Sequence, residues 1–181
     1  DEGADIIDIG GMSTAPYLKT TISEKQESIR ISKAINMSES NMQCGGSVAN
    51  SVIAVAQFGG TSYYSCKVAN DELGQFYRKD LKDNGVDTSL DEHELEEGIT
   101  GKCLVMTTAD ASRTMNTYLG ITADYSRKQI TEHALKDSEY LYIEGYLVTS
   151  ENGQDAMKYA KQMAEENGVK VALTFSDPSM V

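Results

Sequence analysis

The last third of the chain restricts the fold most. An apolar run, Tyr140-Leu141-Tyr142-Ile143, is followed by an amphipathic stretch from Glu151 to Asn167, then by Gly168 and the strand-like Val169-Lys170-Val171-Ala172-Leu173-Thr174-Phe175. That pattern predicts strand, helix, strand. Gly168 stands where a helix C-terminus takes a residue tolerant of left-handed backbone, and the crossover has the length that joins two parallel strands through a helix. An α/β fold follows.

Earlier segments are compatible with that class. A helix is predicted from Ser47 through Val48, Val52, Ile53, Val55, Ala56 and Phe58 to a stop at Gly59-Gly60. Apolar or small residues almost all round it predict a buried helix, and Thr61 to Val68 then reads as a strand. Asp71-Glu72-Leu73-Gly74 opens a helix through Phe76, Tyr77 and Leu81 that stops near Asn84-Gly85. Lys102 to Thr107 reads as a strand, Asp110-Ala111-Ser112 as a hairpin turn, and Arg113 to Tyr118 as the return. Ser23-Glu24-Lys25-Gln26 and Ser126-Arg127-Lys128-Gln129 have the spacing of capping boxes and predict two more helix starts. No linker, low-complexity tract or internal repeat divides residues 1–181, which read as a single domain.

With 181 residues, 40% hydrophobic, 24% charged and two prolines, the chain has the make-up of a globular domain with a sizeable core. Its formal charge of −12, with no cluster of basic residues, argues against nucleic acid and against an anionic membrane surface as partners. No apolar run approaches the roughly 20 residues that span a bilayer, and Asp1-Glu2-Gly3-Ala4-Asp5 has the wrong charge for a signal peptide. A cytoplasmic protein is expected. Cys44, Cys66 and Cys103 are far apart, without a Cys-x-x-Cys pair and with only His93 and His133 to assist, so they read as small reduced hydrophobes rather than a metal site.

Chemistry concentrates at Cys44-Gly45-Gly46-Ser47-Val48-Ala49-Asn50, paired glycines leading into a helix. Glycines let a ligand approach the main chain, and the helix N-terminus offers unsatisfied N–H groups to an oxygen-rich ligand. Asn50, one turn in, both donates to and accepts from a hydroxyl, which suits a vicinal diol. The competing reading is a tight turn with a capped helix.

Gly45-Gly46-Ser47-Val48-Ala49-Asn50 with Gly59-Gly60 resembles the first signature of the ribokinase-like (PfkB) carbohydrate kinases. Lys67-Val68-Ala69-Asn70-Asp71-Glu72-Leu73-Gly74, Asn84-Gly85-Val86-Asp87, Thr100-Gly101-Lys102-Cys103, Arg113-Thr114-Met115-Asn116, Ile143-Glu144-Gly145-Tyr146 and Ser176-Asp177-Pro178 follow in the order and spacing of its adenosine-kinase-like branch. The resemblance implies a three-layer α/β fold with a mainly parallel central sheet and a small β-lid, incomplete at the C-terminus. It implies a kinase that moves the γ-phosphoryl of ATP, with Mg2+, to a hydroxymethyl group of a nucleoside or sugar, and it leaves a homodimer open. Gly45, Gly46 and Asn50 would meet the sugar hydroxyls. Glu144, at the C-terminal end of a parallel strand where open α/β sheets bind ligands, would accept from a hydroxyl. Arg113, on the lid hairpin, would come down on substrate or phosphate, or else is an exposed turn arginine. Tyr118 and Met106 are candidates for a base pocket, with core packing the more expected role.

Two departures stand against the resemblance. The family's diol-binding aspartate has no counterpart, since no acidic residue occurs between Asp8 and Glu24, and Gly10-Gly11-Met12-Ser13-Thr14-Ala15-Pro16 leads into a segment short for a lid. Either the lid is reduced or a loop is missing from the sequence, and the second is expected. The family's Gly-Ala-Gly-Asp segment, with its general base and anion hole, is also absent, and Gly98-Ile99-Thr100-Gly101-Lys102-Cys103 is not a P-loop. No catalytic residue is assigned to this chain, and its residues alone are expected to be inactive. The alternative is a non-catalytic nucleoside- or sugar-binding module, or one half of a two-chain protein, with an exposed sheet edge and apolar helix faces. A dinucleotide-binding oxidoreductase is disfavoured, because Gly10-Gly11-Met12-Ser13 does not supply Gly-x-Gly-x-x-Gly.

Overall fold

The structure is a computed structural model that describes residues 6–9, 29, 42–107 and 110–178. In chain order its elements are β1 (Ile6–Ile9), β2 (Met42–Cys44), α1 (Ser47–Gln57), β3 (Tyr63–Tyr64), α2 (Glu72–Asp83), β4 (Asp87–Thr88), β5 (Lys102–Thr107), β6 (Arg113–Tyr118), α3 (Glu132–Lys136), β7 (Tyr140–Glu144), α4 (Glu151–Glu166) and β8 (Lys170–Thr174), with short 3-10 turns between them. The Ser23 capping box and the segment from Gly10 up to it, which is short for a lid, lie outside the described residues.

The strand–helix–strand unit forms as its sequence predicts. Ser150 caps α4 by accepting the Gly153 N–H at 3.0 Å, and Gly168 turns the chain with φ +73°. β7 and β8 then pair in parallel from Tyr140 opposite Lys170 to Glu144 opposite Thr174. Ala160, Met163 and Ala164 of α4 pack with Leu135 and Val169 into one apolar cluster.

A second cluster joins α1 and α2. It includes Ala49, Tyr64, Tyr77, Leu81, Val86, Leu90 and Leu104, of which Tyr77 and Leu81 are fully buried. Asp71 caps α2 and Asn84 ends it, as expected. Cys66 and Cys103 are buried and Cys44 is half-buried, so they lie in or beside this core. Tyr118 also packs against it, whereas Met106 is 40% exposed and takes no core role.

Three expectations need correction. Helix α1 is buried on one side only: Ala49 is enclosed, while Val55 is 45% exposed and Asn50 and Ser51 face solvent, because the core formed by α2 and β3 lies against a single face. The strand expected over Thr61 to Val68 shrinks to Tyr63–Tyr64. Beyond Tyr64 side chains take over from a paired strand: the Cys66 N–H donates to Ser89 Oγ at 3.4 Å and the Ala69 N–H to Thr100 Oγ1 at 3.0 Å, and backbone pairing resumes only as an isolated bridge between Ala69 and Glu96. The Ser126–Gln129 capping box forms, but it caps a single 3-10 turn, and α3 starts only after Thr131.

The hairpin is placed as its sequence indicates. β5 and β6 pair antiparallel from Lys102 opposite Tyr118 to Thr107 opposite Arg113. Asp110 Oδ1 accepts the Ser112 N–H at 3.1 Å across the turn, and Ala111 is left-handed at φ +65°. β1 lies antiparallel to β5 and parallel to β2, giving a four-stranded sheet of order β2-β1-β5-β6. Among the described residues the parallel pairs β1·β2, β3·β4 and β7·β8 belong to three separate sheets.

Candidate functional site

Gly46 is the N-cap of α1 with φ +105°, backbone that a residue with a Cβ rarely adopts, and it offers no side chain to cap the helix. The start of α1 is therefore not capped by its own N-cap side chain, and a helix N-terminus of this kind can donate to ligand oxygens. Gly45 and Gly46 are buried, and the Gly45 carbonyl accepts the Tyr77 hydroxyl at 3.1 Å, which fixes the loop to α2.

Gly46 and Glu144 line one cavity of about 1150 Å³. Glu144 ends β7 and is only 7% exposed. Its carboxylate accepts the hydroxyl of Ser176, which stands two residues beyond β8 and in turn accepts the Gly145 N–H at 2.9 Å. The Tyr64 phenol is held well above its ordinary pKa, first by burial, with the charge of Glu144 among the lesser contributions. A neutral tyrosine, a buried carboxylate and a helix N-terminus thus border one space, which offers hydrogen-bond donors and acceptors together.

Another part of the cavity lining is polar and braced. The Tyr63 hydroxyl lies 2.7 Å from Glu92 Oε1 and 2.7 Å from Thr131 Oγ1, and Thr131 donates to Glu92 Oε2 at 3.1 Å. His133 Nε2 stands 3.8 Å from the same carboxylate. Sequence reading missed these residues because their partners are far apart in the chain, and it named Ser176 only as part of a family-like segment, without its bond to Glu144, because only the fold brings the ends of β7 and β8 together.

The remaining candidates lie elsewhere. Asn50 is exposed on the first turn of α1 and does not line the cavity, although Gly46, Ser47 and Val48 do. Arg113 is exposed at the start of β6, also away from that lining. Among the described residues no group of three or more His, Cys, Asp or Glu side chains is disposed to hold a metal ion. Among the same residues no helix is long and apolar enough to cross a membrane.

The conspicuous motifs hold the scaffold that carries the cavity. Asp71 Oδ1 accepts the Gly74 N–H at 2.8 Å and the Thr100 hydroxyl at 2.5 Å, while Oδ2 accepts the Thr100 N–H at 2.9 Å. The segments around Asp71 and Thr100 are therefore two halves of one latch. Gly74 is required by close approach, since a Cβ there would meet the Ala69 carbonyl oxygen at 1.9 Å.

The chain is 28% identical to 5-dehydro-2-deoxygluconokinase from Geobacillus thermodenitrificans over 129 residues, covering 70% of this chain and 38% of that protein. The crystal structure of adenosine kinase from Sinorhizobium meliloti superposes with a TM-score of 0.77 at 25% identity, covering 100% of this chain and 59% of that one. A probable sugar kinase from Rhizobium etli gives 0.74 at 26% identity, covering 99% and 56%. The chain thus spans 38% of the curated relative's length. The pfkB family carbohydrate kinase pattern matches residues 17–181, a span that holds the cavity lining and the Asp71–Thr100 latch. With its ribokinase-like α/β fold, the chain belongs to the pfkB family of carbohydrate kinases.

Proposed function

We propose that this chain supplies the substrate-binding part of a kinase that moves the γ-phosphoryl of ATP to a hydroxymethyl group of a nucleoside or sugar. The observation that carries this reading is the meeting of the α1 N-terminus at Gly46 and the buried Glu144 on one cavity. The helix end donates to ligand oxygens, and the carboxylate accepts from a ligand hydroxyl, so the two fix an alcohol in orientation. Gly45 shapes the loop, while Asn50 and Arg113, which stand outside the cavity lining, would reach a substrate only if the β5–β6 hairpin moves toward it. ATP and Mg2+, which the family uses, would supply the phosphoryl group and neutralise its charge when bound, and none of the residues named above is assigned to hold them. Similarity to an adenosine kinase supports a nucleoside, and similarity to 5-dehydro-2-deoxygluconokinase supports a sugar-derived acid.

A second reading has its own observation. β8 pairs only with β7 among the described residues, and its neighbourhood leaves Leu173 51% and Phe175 61% exposed. Exposed apolar strand surface of this kind is a place for further polypeptide to pack. A nucleoside- or sugar-binding half completed by a second chain accounts for it. ATP consumption by the native protein with adenosine, ribose, fructose and 5-dehydro-2-deoxygluconate tests the kinase reading, and its intact mass tests the second. Turnover with one of these alcohols, weakened when Asn50 or Glu144 becomes alanine, is the expected result. No turnover with any would contradict kinase activity, and a native mass near 19.7 kDa would favour the binding half.

A further inference from the structure

The end of β8 carries a residue whose backbone and side chain point to one task. Ser176 has φ +63°, left-handed backbone that strains any residue with a Cβ. Glycine would adopt that conformation freely, but it would give up both bonds of the Ser176 hydroxyl: the one donated to Glu144 Oε2 and the one accepted from the Gly145 N–H at 2.9 Å. The backbone is held in place as well, with the Ser176 N–H on Thr174 Oγ1 at 3.1 Å. The two strand ends are also in close contact, because a Cβ on Gly145 would meet the Phe175 carbonyl oxygen at 2.6 Å.

We propose that Ser176 is a positioning residue, which holds the Glu144 carboxylate in the orientation that meets a ligand hydroxyl in the cavity. The terminal torsion of a glutamate side chain is broad and leaves the carboxylate free to turn. A charge-assisted bond to one oxygen removes that freedom before the ligand arrives, so less ordering is left for binding to bring about. The inference rests on the reading of Glu144 as a ligand group.

Full-length variants Ser176→Ala and Ser176→Gly separate orientation from stability. Both lose the hydroxyl, but only glycine relieves the left-handed strain, so Ser176→Gly is the more stable of the two in thermal unfolding. Titration calorimetry with adenosine and with ribose should show both variants binding about 5- to 50-fold more weakly than wild type. In a Glu144→Ala background, Ser176→Ala should have no further effect on affinity. Wild-type affinity in Ser176→Gly, or an undiminished Ser176 effect without Glu144, would overturn the proposal. If wild type binds neither probe, the ligand reading of Glu144 fails, and the crystal structure of Ser176→Ala decides the positioning role. A carboxylate displaced from its wild-type orientation supports that role, and an unmoved one overturns it.

Discussion

Asp71 shows how much of this molecule is visible one residue at a time. Its place ahead of Glu72-Leu73-Gly74 marks a helix cap in the sequence, and the cap is there. Its second partner is not visible in that way, because Thr100 lies in another segment and reaches Asp71 only through the fold. Replacing Asp71 with alanine removes a cap and leaves the N–H of a fully buried threonine unsatisfied, at a cost of about 2–4 kcal/mol in denaturant unfolding. Asparagine keeps one accepting oxygen and should recover part of that loss. A change below about 0.5 kcal/mol would show that the latch does not hold the fold together. Glu144 was legible as a strand-end carboxylate, while its bond to Ser176 was hidden by the same distance in sequence.

Among elements, those with a strong internal period were legible and those defined by their neighbours were not. α4 and α2 carry their own caps and apolar faces, and both appear where the pattern puts them. The residues after Tyr64 have strand-like composition, but a strand exists only where a second one pairs with it, and here side chains take the backbone groups instead. The Ser126 box likewise caps a turn too short to become a helix. Because α4 depends on a side-chain cap at its start, Ser150→Ala should lower stability by about 1 kcal/mol, read as a shift in the unfolding midpoint. No shift would mean that packing of Ala160, Met163 and Ala164 alone sets the start of the helix.

For the whole molecule, the two apolar clusters are bridged by polar contacts. Ser65 Oγ lies 2.7 Å from the Tyr125 hydroxyl and donates to the Gln129 carbonyl at 2.6 Å, and Tyr63 reaches Thr131. Burial pushes the Cys66 thiol up from 9.0 to about 12, and burial also pushes the Tyr125 phenol up from 10.0 to about 12. Both groups are raised in the folded state, so their contribution is complete below pH 9 and is lost as pH rises toward 12. Stability should therefore fall by about 2 kcal/mol between pH 8 and pH 10.5, and Cys66→Ala should flatten part of that slope. A flat profile in the wild type would show that neither group stays protonated in the fold.

Gly46 and Glu144 border one cavity, and on the function proposed above that cavity binds a hydroxylated substrate. Backbone amide NMR shifts of the full chain during titration with adenosine, and separately with ribose, test it most directly. The structure predicts saturable shifts clustered at Gly46, Ser47, Glu144 and Gly145, lost in Glu144→Gln. Shifts confined to residues away from the cavity, or none with either compound at millimolar concentration, would contradict it.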